Sequence, residues 1–210
     1  MNIEKNITRR TNLDANDSLS AFKNHTAQQS HFAYEVFYKF LSEIKPDRIL
    51  EIGTALGGFT QFLKICVDDI GINTKILSYD ITDRPWYTDM IIAGIDVRVE
   101  NVFTEGFLDC NQEVINFIQQ QGTTIILCDG GYKIGEFNLL STKMKLGDYI
   151  LAHDYAKDRK IFESEIKNKI WNWFEIQESD IEISCINNGL TDHERSAFNG
   201  AAWICKKKTS

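Results

Sequence analysis

Cysteine pairs, long apolar runs and positive charge are all scarce in this 210-residue chain. Its five cysteines, Cys66, Cys110, Cys128, Cys185 and Cys205, are widely spaced and form no C-x-x-C pair. That argues against both a zinc site and a disulfide framework. Cys128 and Cys205 lie inside apolar runs and read as small core hydrophobes. No apolar run approaches the roughly 20 residues of a membrane helix. The stretch from Met1 to Thr11 is polar and lacks the apolar core of a signal peptide. The expectation is therefore a cytoplasmic protein with no membrane partner. A net charge of -7 argues against a broad nucleic-acid surface, which needs a basic stripe to neutralise phosphates, though it leaves room for a local basic groove. The run Lys206 to Lys208 reads as a solvated tail. A small or uncharged ligand suits this balance better.

What is present is an ordinary domain: 43% of the residues are hydrophobic and 25% charged. Residues 1 to 29 are rich in Asn, Thr, Asp and Gln and read as a loosely ordered arm, with a short helix around Leu19 to Lys23. Such an arm is a frayed terminus, a lid, or a contact in a homo-oligomer. Residues 30 to 210 read as one domain. From Ser30, Ala33, Val36, Phe37, Phe40, Leu41 and Ile44 mark one helical face, which Pro46 ends. Apolar strands follow at Arg48 to Ile52, Lys75 to Tyr79, Val97 to Val99, Thr123 to Leu127 and Tyr149 to Ala152. Helices alternate with them: one carrying Phe59, Phe62, Leu63, Cys66 and Ile70 on one face and ending near Gly71, then Asp109 to Gln120, 135 to 145 and one around Ile161 to Ile170. Two closing strands, Ile181 to Ile186 and Ala201 to Cys205, suggest an antiparallel hairpin at one edge. This alternation predicts an α/β fold, a doubly wound, Rossmann-like, mainly parallel sheet with an antiparallel last strand.

In such a sheet, ligands bind beyond the carboxyl ends of the strands. Those ends carry Glu51 with Gly53, Thr54, Gly57 and Gly58, then Asp80, then Glu100 with Asn101, then Asp129, then His153 with Asp154. Each taken alone is as readily a helix cap as a ligand group. Their convergence on one rim is the stronger argument. An acid at the position of Asp80 can accept both hydroxyls of a ribose. A dinucleotide loop would read G-x-G-x-x-G, but Ala55 stands where its middle glycine belongs. A nicotinamide oxidoreductase is therefore disfavoured.

Glu51-Ile-Gly53-Thr-Ala-Leu-Gly57-Gly58 followed by Asp80 resembles the cofactor-binding half of class I S-adenosylmethionine-dependent methyltransferases. The resemblance spans roughly residues 30 to 205. It implies a methionine site along Glu51, Gly53, Thr54, Gly57 and Gly58, a ribose site at Asp80 and an adenine site near Asn101, with Asp129 beside the cofactor. The adenine- and cytosine-amino methyltransferase signature needs two adjacent prolines. The only prolines are Pro46 and Pro85, which further lowers DNA as a substrate.

A narrower likeness lies in Lys45-Pro46-Asp47-Arg48-Ile49-Leu50-Glu51-Ile52-Gly53-Thr54 and in Gly147-Asp148-Tyr149-Ile150 before His153-Asp154. These resemble the group of cephalosporin hydroxylase and the macrocin-type sugar O-methyltransferases. That resemblance implies O-methylation of a small molecule or saccharide, with a divalent ion on Asp129, His153 and Asp154. Magnesium prefers oxygen ligands and imidazole suits manganese, iron or zinc, so His153 points either to a softer metal or to none. Without a metal, His153 becomes the candidate general base, since an ordinary imidazole pKa near ~6.5 suits that role. Asp129 and Lys133 are further candidates, Lys133 replacing an acidic base missing at Gly131. Trp86, Tyr87 and Tyr132 are candidates for an aromatic platform. The alternative is a non-catalytic binding module that retains the fold.

Overall fold

The computed structural model describes residues 25–210 and, ahead of them, the backbone of Ile7–Thr8 and Ala21–Phe22. Five strands pair in parallel: β1 Arg48–Ile52, β2 Lys75–Asp80, β3 Asp96–Val99, β4 Thr124–Cys128 and β5 Tyr149–Ala152. With β6 Leu190–Asp192 and β7 Ile204–Lys208 they form a seven-stranded sheet of order β3-β2-β1-β4-β5-β7-β6, in which β7 runs antiparallel to both neighbours. This is the expected doubly wound sheet with its reversed last strand.

All residues of β1 and β4 are buried, as apolar runs without polar alternation predict for strands covered on both faces. On one face, Ile49 packs among residues of α1 Phe32–Ile44, α2 Gly58–Ile70 and α3 Tyr87–Ile92. On the other, Leu50 and Ile52 pack against α4 Gln112–Gln119, α5 Lys133–Ser141 and α6 Glu178–Asn187. A short α7, Arg195–Asn199, returns Phe198 to the first face. The strand order reverses between β1 and β4, which opens a crevice above their carboxyl ends. No helix among the described residues is long and apolar enough to cross a membrane. All five cysteines are free and buried.

Several local readings are corrected. Ile181 to Ile186 is helix, not strand, and lies within α6. Its apolar residues alternate like a strand, but only Ile181 and Cys185, one turn apart, face inward, while Ile183 and Ile186 are exposed. A reciprocal cap between Gln177 and Asp180 starts that helix. The basic run Lys206 to Lys208 is not a solvated tail, because it forms the end of β7. Lys206 is buried there, with Nζ 2.8 Å from Glu178 and 2.6 Å from Asp192. Helix α5 begins at Lys133, two residues ahead of its expected start, which places Lys133 at the crevice. The helix expected through Ile161 to Ile170 stops early. A wide turn over Phe162–Ile166 and a left-handed Asn168 release the chain toward Trp171.

Of the helix expected at Leu19 to Lys23, Ala21–Phe22 is instead a strand between Ile7–Thr8 and His25–Thr26. The rest of that helix, and most of the 1 to 29 arm, lie outside the described residues. The last residues of the arm are not peripheral. Ala27 and Gln29 are buried against the domain.

Candidate functional site

The loop after β1 owes its shape to contacts beneath it. Glu51 turns its side chain toward α2, where Oε2 accepts hydrogen bonds from Thr60 (2.7 Å) and Ser78 (2.5 Å). Burial pushes its carboxyl up to about 7, against the pull of those two hydroxyls. Gly53 has φ +97°, and a Cβ there would lie 2.2 Å from the Asp129 carbonyl oxygen, so only glycine fits between β1 and β4. Gly58 is held as tightly. A Cβ on it would meet the backbone of His25 and Thr26 at 2.4 and 2.7 Å. The loop backbone is tied to the next strand, since Ala55 N–H donates to Asp80 Oδ2 (2.7 Å) and Tyr87 Oη donates to the Ala55 carbonyl (2.7 Å).

Two cavities open on this loop. The first, of about 390 Å³, is lined by Gly53, Ala55, Asp80, Asn101 and Asp129, with Ile81, Phe103, Phe107 and Tyr132 as apolar walls. Asp80 Oδ1 also accepts from Thr82 N–H (2.8 Å), which fixes the carboxylate at the mouth. Glu136, which the sequence reading missed, lines the same cavity. Its oxygens accept from Gly130 N–H and Tyr132 N–H, both at 3.1 Å, and so shape the turn after β4. Burial pushes that carboxyl up to about 7 as well.

The second cavity, of about 200 Å³, shares Gly53, Ala55 and Asp129 with the first. Beyond them stand Thr54, Lys133, His153, Asp154, Trp171, Trp173 and Glu175. Here the charges are tightly paired. Lys133 Nζ reaches Asp154 Oδ2 (2.8 Å), Glu175 Oε2 (2.9 Å) and the Gly130 carbonyl (3.0 Å), with Asp129 Oδ1 at 3.8 Å. Asp154 Oδ1 accepts from the Trp171 indole N–H. Asp129 Oδ2 accepts from Gln29 Nε2 (2.7 Å), and Gln29 Oε1 in turn accepts from Trp203 Nε1 (2.8 Å).

His153 Nδ1 faces Asp129 Oδ1 at 3.0 Å and Asp154 Oδ1 at 3.5 Å, with Gln29 Nε2 at 3.4 Å, and the two carboxylates favour a proton on that nitrogen. Its Nε2 is buried with no hydrogen-bond partner among the described residues, and the ring lies between Trp203 and Trp171 with centroids at 4.8 Å. Burial works to lower the His153 pKa, but the Asp154 and Asp129 carboxylates overcome it and hold it above the ordinary value. Burial likewise opposes the Lys133 ammonium, and the charges of Asp129 and Asp154 raise its pKa regardless.

No family model matches the sequence, and no curated protein does. Solved structures do. A CmcI structure described with Mg and SAM superposes with a TM-score of 0.61 at 14% identity, over 93% of this chain and 78% of that one. Another CmcI structure, described with SAH, gives 0.60 at 13% identity, over 90% and 82%. A putative caffeoyl-CoA O-methyltransferase from Staphylococcus aureus gives 0.53 at 10% identity, over 86% and 84%. The fold is that of the class I methyltransferases.

Within this methyltransferase fold, the residues singled out from the sequence separate into three groups. Gly53, Asp80, Asn101 and Asp129 line the first cavity, and Thr54, Asp129, Lys133, His153 and Asp154 line the second. Glu51, Gly57 and Gly58 line neither of these two cavities. Among the aromatic candidates, only Tyr132 borders a cavity. Tyr87 is buried beneath the loop, and Trp86 packs near His25 with ring centroids 6.1 Å apart. Trp171 and Trp173 stand in the second cavity instead.

The Lys133 ammonium is held by two carboxylates and in that state has no lone pair to offer. On His153, Nδ1 faces Asp129, and Nε2 is buried without a hydrogen-bond partner among the described residues. A metal on Asp129, His153 and Asp154 meets a comparable obstacle. Their donor atoms do converge within 4.8 Å of one another. However, the Lys133 ammonium already sits on Asp154, and Nδ1 of His153 is committed to Asp129. A divalent ion does not fit this arrangement.

Proposed function

We propose that this chain is an S-adenosylmethionine-dependent methyltransferase that methylates a hydroxyl of a small molecule or saccharide. The observation that carries this reading is the junction of the two cavities at Gly53, Ala55 and Asp129. The first cavity has the size of a nucleoside-type ligand site, at about 390 Å³. Asp80 at its mouth suits a ribose diol, and Phe103, Phe107 and Tyr132 offer apolar faces to a base. The likeness to CmcI structures described with SAM and SAH supports the same cofactor. When bound, the sulfonium supplies a methyl group open to in-line displacement by an acceptor oxygen.

The chain's own part is positioning and proton removal. Asp129, at the junction, orients the acceptor hydroxyl and takes its proton. His153 Nδ1–H and Gln29 Nε2–H hold that carboxylate in place. Trp173 and Glu175 at the rim of the second cavity suit a ring that bears both C–H faces and hydroxyls.

Calorimetry with S-adenosylhomocysteine and with NAD tests the cofactor. Binding of S-adenosylhomocysteine and not NAD is expected, and binding of NAD alone overturns the reading. Asp129→Asn should retain S-adenosylhomocysteine while losing at least about 100-fold in methyl transfer. S-adenosylhomocysteine binding without transfer to any of a broad acceptor panel would favour the binding-module alternative.

A further inference from the structure

Four carboxylate oxygens face the floor of the second cavity, two from Asp129 and two from Asp154. Each is met by a donor of the protein itself. Asp129 Oδ1 has His153, Asp129 Oδ2 has Gln29, Asp154 Oδ1 has Trp171, and Asp154 Oδ2 has Lys133. The Lys133 side chain is 6% exposed, and its ammonium is close to one carbonyl and two carboxylates. An ammonium has three hydrogens, and these three partners take them all.

We propose that Lys133 is a built-in cation occupying the place of a divalent ion, so that this site works without metal. The proposal deepens the methyl-transfer reading and rests on it for the purpose of the cluster. The exclusion of the ion itself rests on geometry alone. Magnesium binds carboxylate oxygen at about 2.1 Å, so an ion on Asp154 Oδ2 would lie no more than about 5 Å from Nζ. Two like charges at that separation in a buried site repel strongly.

The position of Lys133 follows from its sequence context. Gly130 and Gly131 carry the chain sharply from β4 into α5, and Lys133, four residues after Asp129, opens that helix. Its side chain points back beneath the turn, where a helix N-terminus alone would not place a cation. The carboxylates on both sides outweigh the helix dipole.

Replacing an ion with an ammonium changes what the site selects. A metal with open coordination positions can ligate two neighbouring oxygens of an acceptor, whereas this ammonium has no position left. The acceptor is therefore chosen for a single hydroxyl that reaches Asp129, not for a chelating pair. Lys133 acts here as a positioning residue.

Manganese paramagnetic resonance on the purified wild-type chain tests the proposal directly. Millimolar Mn²⁺ should remain free in the presence of the protein, and stoichiometric capture of the ion would overturn the proposal. In Lys133→Ala, removal of the competing charge should raise Mn²⁺ affinity at least about tenfold, and a folded variant without that gain also overturns it. If the variant does not fold, the wild-type measurement decides by itself. S-adenosylhomocysteine calorimetry on the same samples separates the two readings. Loss of that binding would sink the methyltransferase reading without touching the ion result.

Discussion

Glu51→Gln should flatten the pH dependence of folding stability between about pH 5 and about pH 8. Glu51 is 2% exposed, and both hydroxyls that reach it donate to the same oxygen, Oε2, which leaves Oε1 to carry a proton. Burial raises the carboxyl from an ordinary 4.5 to about 7. A raised value means that folding favours the protonated form. The stability Glu51 contributes is therefore complete below its unfolded value near 4.5 and is lost as the pH climbs through about 7. At about 1.4 kcal/mol per pH unit, the step between those values comes to about 3 kcal/mol. Its near-complete burial means that solvent screening takes little from that figure. Glutamine cannot ionise, so the variant lacks this loss whatever its absolute stability. The assay is urea unfolding of both proteins across the range, read as the difference between their stabilities at each pH. Glu136 and His153, whose values are also raised, contribute to both proteins and cancel in the difference. Parallel stability curves for the two proteins would refute the reasoning.

Two further substitutions probe the frame of the site. Gly53→Ala puts a Cβ 2.2 Å from the Asp129 carbonyl at a positive φ. It should cost about 2 kcal/mol or more in thermal unfolding and weaken S-adenosylhomocysteine binding; a melt and an affinity like wild type would show slack between β1 and β4. Gln29→Leu strips a partner from both Asp129 and the buried Trp203 indole, at about 1–3 kcal/mol for each polar group left unpaired. Because Gln29 does not line the first cavity, methyl transfer should fall while cofactor affinity holds. Equal losses in both would contradict the separation of the two cavities.

The sequence by itself determined the five parallel strands, the crevice and the row of polar residues along it, but not the edge strand at Leu190–Asp192. Those follow from local properties: apolar runs long enough for buried strands, helical spacing between them, and glycines where the chain turns. Asp80, Asn101, Asp129, His153 and Asp154 were legible because each directly follows or ends such a run. Tertiary structure decided what each of them meets. Glu51 looked like a ligand group, but Ser78 and Thr60 on neighbouring elements draw it beneath the loop. Ile181 to Ile186 alternates as a strand would, and the cap at Gln177 with one inward face makes it a helix. Gln29 lies 100 residues from the Asp129 it supports and 174 from Trp203, distances over which no sequence pattern carries a signal. Trp171 and Trp173 reach the second cavity only because the preceding helix breaks. The charge on Lys133 was readable from the start. That it faces two carboxylates, instead of solvent or a metal, depends on where three separate segments come to rest.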